Sequence, residues 1–230
     1  MNRKAVIRIL SMVMLLLLSP LCIHATKFIK LSIIDKDYLM LQFRDGEVRY
    51  RDDGTGSSAY LGHTFVEGDD TLKVFGQRLN TSIAASAEEW TISSKDDSTF
   101  GNQKARMVSR KSKPMNTDNT LTSELDHWIF LQLPQSMKQG CTYSVTIPSG
   151  LNSDIKEAEV KFDIWNSQSE AVHVNILGYV PQEPLKAADL YLWLGDGGQR
   201  DYSSKKGKNV YLYKLYFEKI INNMTRVRCQ

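Results

Sequence analysis

Carboxylates come in adjacent pairs along this chain: Asp52-Asp53, Asp69-Asp70, Glu88-Glu89 and Asp96-Asp97. Two carboxylates can act as acid and base on a glycosidic bond when a cleft holds them roughly 5 to 10 Å apart. Neighbouring residues of a strand point to opposite faces, so none of these pairs can work across one cleft, and each reads as a solvated turn or strand edge. Asp52, Asp53 and Gly54 lack the alternating ligands and bidentate glutamate of a calcium loop. His63, His127 and His173 have no ligand spacing with Cys141 or Cys229, which leaves zinc binding and Cys-His catalysis without support. No triad motif or phosphate-binding glycine loop is present. The expectation is a chain with no catalytic residues, no metal and no cofactor of its own.

Aromatic residues suggest a different chemistry. A flat tryptophan face stacks on the C–H face of a sugar ring, and the candidates are Trp90, Trp128, Trp165 and Trp193. Apolar neighbours make each a core residue first. Trp90, beside Glu88-Glu89, is the best outward candidate for carbohydrate binding.

The elements that would position these residues are strands. Short β-rich runs bounded by turn residues recur at Phe28–Ile34, Tyr38–Phe43, Glu47–Arg51, Thr71–Phe75, Glu89–Ser93, Met107–Arg110, Trp128–Leu133, Thr142–Ile147 and Ala158–Trp165. No helix-period run competes with them. "RDGE", Arg44 to Glu47, predicts a hairpin turn between the second and third runs. "WIFLQL" is apolar at nearly every position and predicts a central strand buried on both faces. The polar stretch before it, carrying Pro114, predicts a long loop. "EAEVKFDIW" alternates, so one face is wet and the other dry. In "LPQSMKQGCTYSVTIP", Tyr143 fits the tyrosine corner of a Greek-key sandwich, its ring in the core and its hydroxyl returned to a nearby backbone group. The fold class is therefore all-β: an immunoglobulin-like β-sandwich over residues 27–166, followed past the polar linker "NSQSE" by a second, incomplete immunoglobulin-like module over residues 170–230.

Residues 1–25 predict a secretory signal peptide: Arg3, Lys4 and Arg8 precede a short apolar run, and Ala25 offers a small residue for cleavage. The run is too short to span a bilayer, so no membrane span is expected once it is removed. The destination is secreted, periplasmic or cell-surface. The chain holds 29 basic and 26 acidic side chains. Three of the basic ones lie in the leader, so the remainder is balanced. That removes the electrostatic case for nucleic acid or an anionic membrane as partner. Cys141 and Cys229 are too sparse for a disulfide scaffold and read as unpaired.

The run "VHVNILGYVPQEPLKAADLYLW" resembles the N-terminal immunoglobulin-like domain of bacterial cellulases of the family 9 glycoside hydrolase type. Val172, Val174, Asn175, Gly178, Tyr179, Pro181, Pro184, Lys186 and Ala187 carry the resemblance. Ile176 stands where glutamine is usual, and Leu185 is one extra residue. The positions are structural: Gly178 and Pro181 shape a turn, while Val172, Val174 and Tyr179 are core candidates. The resemblance implies a module packed on a following α/α-barrel that carries the catalytic carboxylates. The expected function is thus the non-catalytic N-terminal part of a secreted glycoside hydrolase acting on polysaccharide, truncated before its barrel. Its partners would be polysaccharide or the following catalytic domain. The alternative is a free-standing secreted carbohydrate-binding or cell-surface β-sandwich protein. A truncated module should leave Val172, Val174, Leu190, Leu192 and Tyr211 along an uncovered apolar face.

Overall fold

The computed structural model describes residues 25–51, 58–60, 63–65, 71–117, 121–180, 182, 184, 186–215 and 226–229. Residues 1–24 of the leader, Asp52-Asp53, Asp69-Asp70 and Pro181 lie outside the described residues. The chain is all-β, with antiparallel sheets. Strands β1 (Lys27–Asp35) and β2 (Tyr38–Asp45) form a hairpin. Next come β3 (Glu47–Arg51), β4 (Ser58–Tyr60), β5 (His63–Phe65) and β6 (Thr71–Phe75), where β3 pairs with β6 and β4 with β5. A single-turn helix α1 (Thr81–Ala84) precedes β7 (Thr91–Ser94) and β8 (Gln103–Lys104). The unit is completed by β9 (Met107–Thr117), β10 (Ser123–Gln132), β11 (Thr142–Thr146) and β12 (Glu157–Lys161). Two four-stranded sheets result, in orders β1-β2-β10-β9 and β12-β11-β7-β8.

The sheets close over one core. Leu39, Leu41 and Phe43 of β2 and Ile129 and Leu131 of β10 meet Ile92 of β7 and Tyr143 and Val145 of β11, all buried. Alternation explains this: every second residue of a strand faces the same way. The intervening residues Tyr38, Met40 and Phe130 are apolar too, so the outer face of the first sheet also needs a cover. They form a second buried cluster with Ile34, Ala171 and Leu194. The two-faced burial expected for "WIFLQL" thus has its second partner in the chain past residue 166.

Two local expectations are corrected. Gly46, with φ +77°, does not join a hairpin. The strand after it pairs with β6, while β2 lies between β1 and β10. The carboxylate of Asp45 is buried and bonded rather than in a turn. Residues 111–117 and 123–126 of the stretch expected to be a long loop are instead strand, paired across β9 and β10. Pro114 fits because β9 is an edge strand with a register shift opposite Glu124 and Leu125, the two settings in which a residue without N–H is tolerated. Past residue 170, β13 (Val172–Val174) pairs with β14 (Ala188–Leu190), and β15 (Leu212–Leu215) with β16 (Arg226–Cys229). Among the described residues no helix is long and apolar enough to cross a membrane.

Candidate functional site

The segment from Ser169 to Tyr202 is strapped across the outer face of the first sheet. The Ser169 hydroxyl donates to the Ile34 carbonyl, and the Glu170 N–H to that of Ile33 at 3.0 Å. The Tyr191 N–H then donates to the Ala171 carbonyl at 3.1 Å, which places the return strand beside the entry. Alternation sorts the next residues: Leu192 and Leu194 turn toward the second cluster, while Tyr191 and Trp193 turn away. At the far end the Arg200 guanidinium lies 4.3 Å over the Tyr38 ring, and its Nε donates to Asp35 Oδ2 at 3.0 Å. The Tyr202 hydroxyl donates to the same oxygen at 3.1 Å. Burial and the Asp35 carboxylate push the Tyr202 phenol above its ordinary range. Asp196 Oδ1 accepts the Arg110 N–H at 2.6 Å, tying the strap to the edge strand β9.

What the strap holds outward is apolar. Val172, Val174, Leu190, Tyr191 and Trp193 are all exposed, Trp193 by 59% and Tyr191 by 54%. The Tyr191 ring stacks on His173 at 4.3 Å. Val172, Val174 and Tyr179, expected in a core, are on the surface, because the two-stranded β13–β14 ribbon has no opposing sheet among the described residues. Leu192, expected to be uncovered, is half-buried against the first sheet, whereas Tyr211 is exposed. Asn175 caps the turn that follows β13: its Oδ1 accepts the Leu177 N–H at 2.9 Å and its carbonyl the Gly178 N–H at 2.9 Å. Gly178 has φ +77°, where a Cβ would be strained. The Tyr179 hydroxyl donates to the Ala187 carbonyl, closing the loop on itself.

Trp90 is not an outward platform. It is fully buried, and its Nε1–H donates to the Ala84 carbonyl at 3.0 Å, the end of α1. Its acidic neighbours lie in a 3₁₀ turn and face solvent while the indole faces the core. Asp97, read as part of a solvated turn, is also buried. Lys138 Nζ at 2.7 Å holds its carboxyl far below the usual carboxylate range, against the opposing effect of burial, with Thr99 and Tyr143 adding hydrogen bonds. Tyr143 is wholly buried; its hydroxyl donates to Asp97 Oδ2 at 2.9 Å and accepts the Lys138 N–H at 2.7 Å. That contact returns the hydroxyl to the backbone five residues upstream.

A second polar cluster lies where β2, β9 and β10 run side by side. Asp45 Oδ2 accepts from His127 Nε2 at 2.9 Å, and Asp45 Oδ1 from Arg78 Nη1 at 2.9 Å and the Leu125 N–H at 3.1 Å. His127 Nδ1 lies 2.7 Å from Ser112 Oγ. Beside it, Asp126 accepts Arg44 Nε at 2.6 Å and Gln42 Nε2 at 3.0 Å, and Asn116 donates to Glu124. An open groove of about 510 Å³ passes this edge, with Lys27, Arg44, Glu124 and Asp154 in its wall. None of these residues was singled out from sequence as a site. Ser112 and His127 meet by strand register, and Asp45 is 82 residues from His127, so no short spacing could reveal them. No family model matches the chain, and comparison with curated proteins and with solved structures finds no match either.

Proposed function

We propose that this chain is the front part of a secreted glycoside hydrolase acting on polysaccharide, in which an immunoglobulin-like sandwich and the strap laid on it brace a domain that performs the cleavage. One observation carries the reading: the outward apolar residues Val172, Val174, Leu190, Tyr191 and Trp193 sit on a strap whose inner side is fixed by buried Ala171 and Leu194. Contiguous exposed apolar surface of this kind marks an interaction site, and here it falls on the run that resembles a cellulase module. The basic-then-apolar pattern of residues 1–25 adds an export route to the cell surface, periplasm or exterior. The coding DNA around this locus tests the reading. A glycoside hydrolase barrel encoded with the chain, whose attachment slows amide exchange at Val172–Val174 and Tyr191–Trp193, supports it. An unrelated neighbour, or exchange unchanged by the attached barrel, removes it.

A free-standing carbohydrate-binding protein is the second reading, favoured by Trp193 and Tyr191. Both are large, outward and held by backbone bonds on either side, which lowers the entropy lost on stacking a sugar. Affinity electrophoresis through gels containing soluble glucans or xylans decides it: retardation lost in Trp193→Ala supports binding, and equal mobility with and without polysaccharide rejects it.

A further inference from the structure

We propose that Ser112, His127 and Asp45 form a hydrolytic relay in which Ser112 is an acyl-accepting nucleophile for carboxylic esters, an activity separate from the bracing role. The inference does not depend on the proposed function. Its basis is a continuous chain of hydrogen bonds with one end in solvent and the other buried. Ser112 is exposed on edge strand β9, directly across the register from His127 of β10. Its Oγ lies 2.7 Å from His127 Nδ1, and His127 Nε2 lies 2.9 Å from Asp45 Oδ2, with the His127 and Asp45 side chains each 2% exposed.

The direction of each bond follows from its partners. Asp45 is ionised in this setting: hydrogen bonds from His127 and Arg78 hold its carboxyl below its ordinary range although burial opposes them. A carboxylate can only accept, so His127 donates from Nε2. In the neutral form of the ring the lone pair is then at Nδ1, facing Ser112, and the hydroxyl proton points to it. Arg110 Nη1 donates to Ser112 Oγ at 2.7 Å, so the oxygen accepts one hydrogen bond while its own proton points to His127. Arg110 Nε is buried and makes no hydrogen bond. Serine with a base at hydrogen-bond distance, and the base oriented by a third group, is the signature of an activated nucleophile. The ring is used in the opposite sense from the common serine protease arrangement, with Nδ1 toward serine and Nε2 toward aspartate.

The reaction balances without another cofactor. Ser112 Oγ bonds to the ester carbonyl carbon as its proton passes to His127 Nδ1. The guanidinium of Arg110 beside Ser112 supplies positive charge near the developing oxyanion. Collapse breaks the bond between the carbonyl carbon and the alcohol oxygen, and the departing alcohol takes the proton from His127. Water then gives a proton to Nδ1 and its oxygen to the acyl carbon. The Oγ–carbon bond breaks, the proton returns to Oγ, and a carboxylic acid leaves. Ser112 lies open among the exposed residues Lys113, Pro114 and Asn116. A short acyl group such as acetyl suits that setting better than a fatty one.

The test uses the full chain and a fluorophosphonate probe, which forms a phosphonyl-serine by losing fluoride. The expected result is one adduct, mapped by peptide mass spectrometry to Ser112, with labelling lowered at least tenfold in Ser112→Ala. No adduct, or an adduct mapped elsewhere, overturns the proposal. The mapping is done on the unaltered chain, so it stands even if the variant fails to fold. The role of Asp45 has its own readout: ¹⁵N NMR of the His127 ring shows Nε2–H in the proposed relay, and a majority of the Nδ1–H form rejects it.

Discussion

Tyr143 shows how one side chain can tie two connections, β7–β8 and β10–β11, to the strand that carries it. Its ring packs edge-on to Phe100 at 5.0 Å, and its hydroxyl joins Asp97 to the Lys138 backbone. In Tyr143→Phe the ring volume is kept, but a buried carboxylate and a backbone N–H each lose a partner. Unsatisfied buried groups of this kind cost about 1–3 kcal/mol, and urea unfolding monitored by tryptophan fluorescence should show a loss of that size. Asp97 contributes to the pH response. Its folded pKa is depressed, chiefly by Lys138. Its contribution is therefore present above the unfolded value of about 3.9 and is lost as pH falls below that toward the folded value. Melting temperatures measured from pH 6 down to pH 2 should fall more steeply for the native chain than for Asp97→Asn. Parallel curves would show that Asp97 does not govern acid stability.

At the scale of elements, the strap is fastened at points that can be loosened one at a time. Arg200 bridges Asp35, Tyr38 and Tyr202, and its side chain is only 18% exposed. Arg200→Met keeps the aliphatic stem but drops the charged hydrogen bond and the cation–π contact, worth together about 2 kcal/mol. Amides of Tyr191 and Leu194 should then exchange about tenfold faster or more, while those of Ile129 and Leu131 keep their protection. Equal acceleration in both places would mean that the strap and the sandwich open as one unit. Gly195 sits on the other fastening. It has φ +72°, and a Cβ there would overlap the Arg110 carbonyl of β9. Gly195→Ala should lift the loop off the edge strand, break the Asp196 bond to Arg110, and lower the melting temperature by several degrees, consistent with about 1–3 kcal/mol for such strain.

The whole molecule depends on a cover that lies late in the chain. A fragment ending at Asn166 retains both sheets and the inner core, so it should still fold cooperatively. It would, however, lay bare Ile34, Tyr38, Met40 and Phe130, each now 5% exposed or less. Each large side chain so uncovered forfeits on the order of 1.5–3 kcal/mol, an upper bound because the unfolded chain already hides part of that surface. The fragment should therefore bind a hydrophobic dye such as ANS and self-associate in sedimentation. A monomeric fragment with the full chain's melting temperature would show that the strap contributes nothing to the sandwich.

The sequence by itself determined the β class, most strand positions and the place of Tyr143, because these rest on local quantities: alternation with period two, turn residues and the corner pattern. Glu47–Arg51 and Thr71–Phe75 fall where that pattern puts them. It also showed that "WIFLQL" demands burial on both faces, without showing what lies against the outer one. Pairing was the first thing left to the tertiary structure, since a glycine after Asp45 is compatible with either a hairpin or a passage into another sheet. Exposure was the second: Trp90 follows two glutamates and Trp193 lies between two leucines, yet Trp90 faces the core and Trp193 solvent. The third was the meeting of Ser112, His127 and Asp45, which arises from register between strands far apart in the chain. Long-range register depends on which faces are buried once the sheets have closed, and no single segment carries that information.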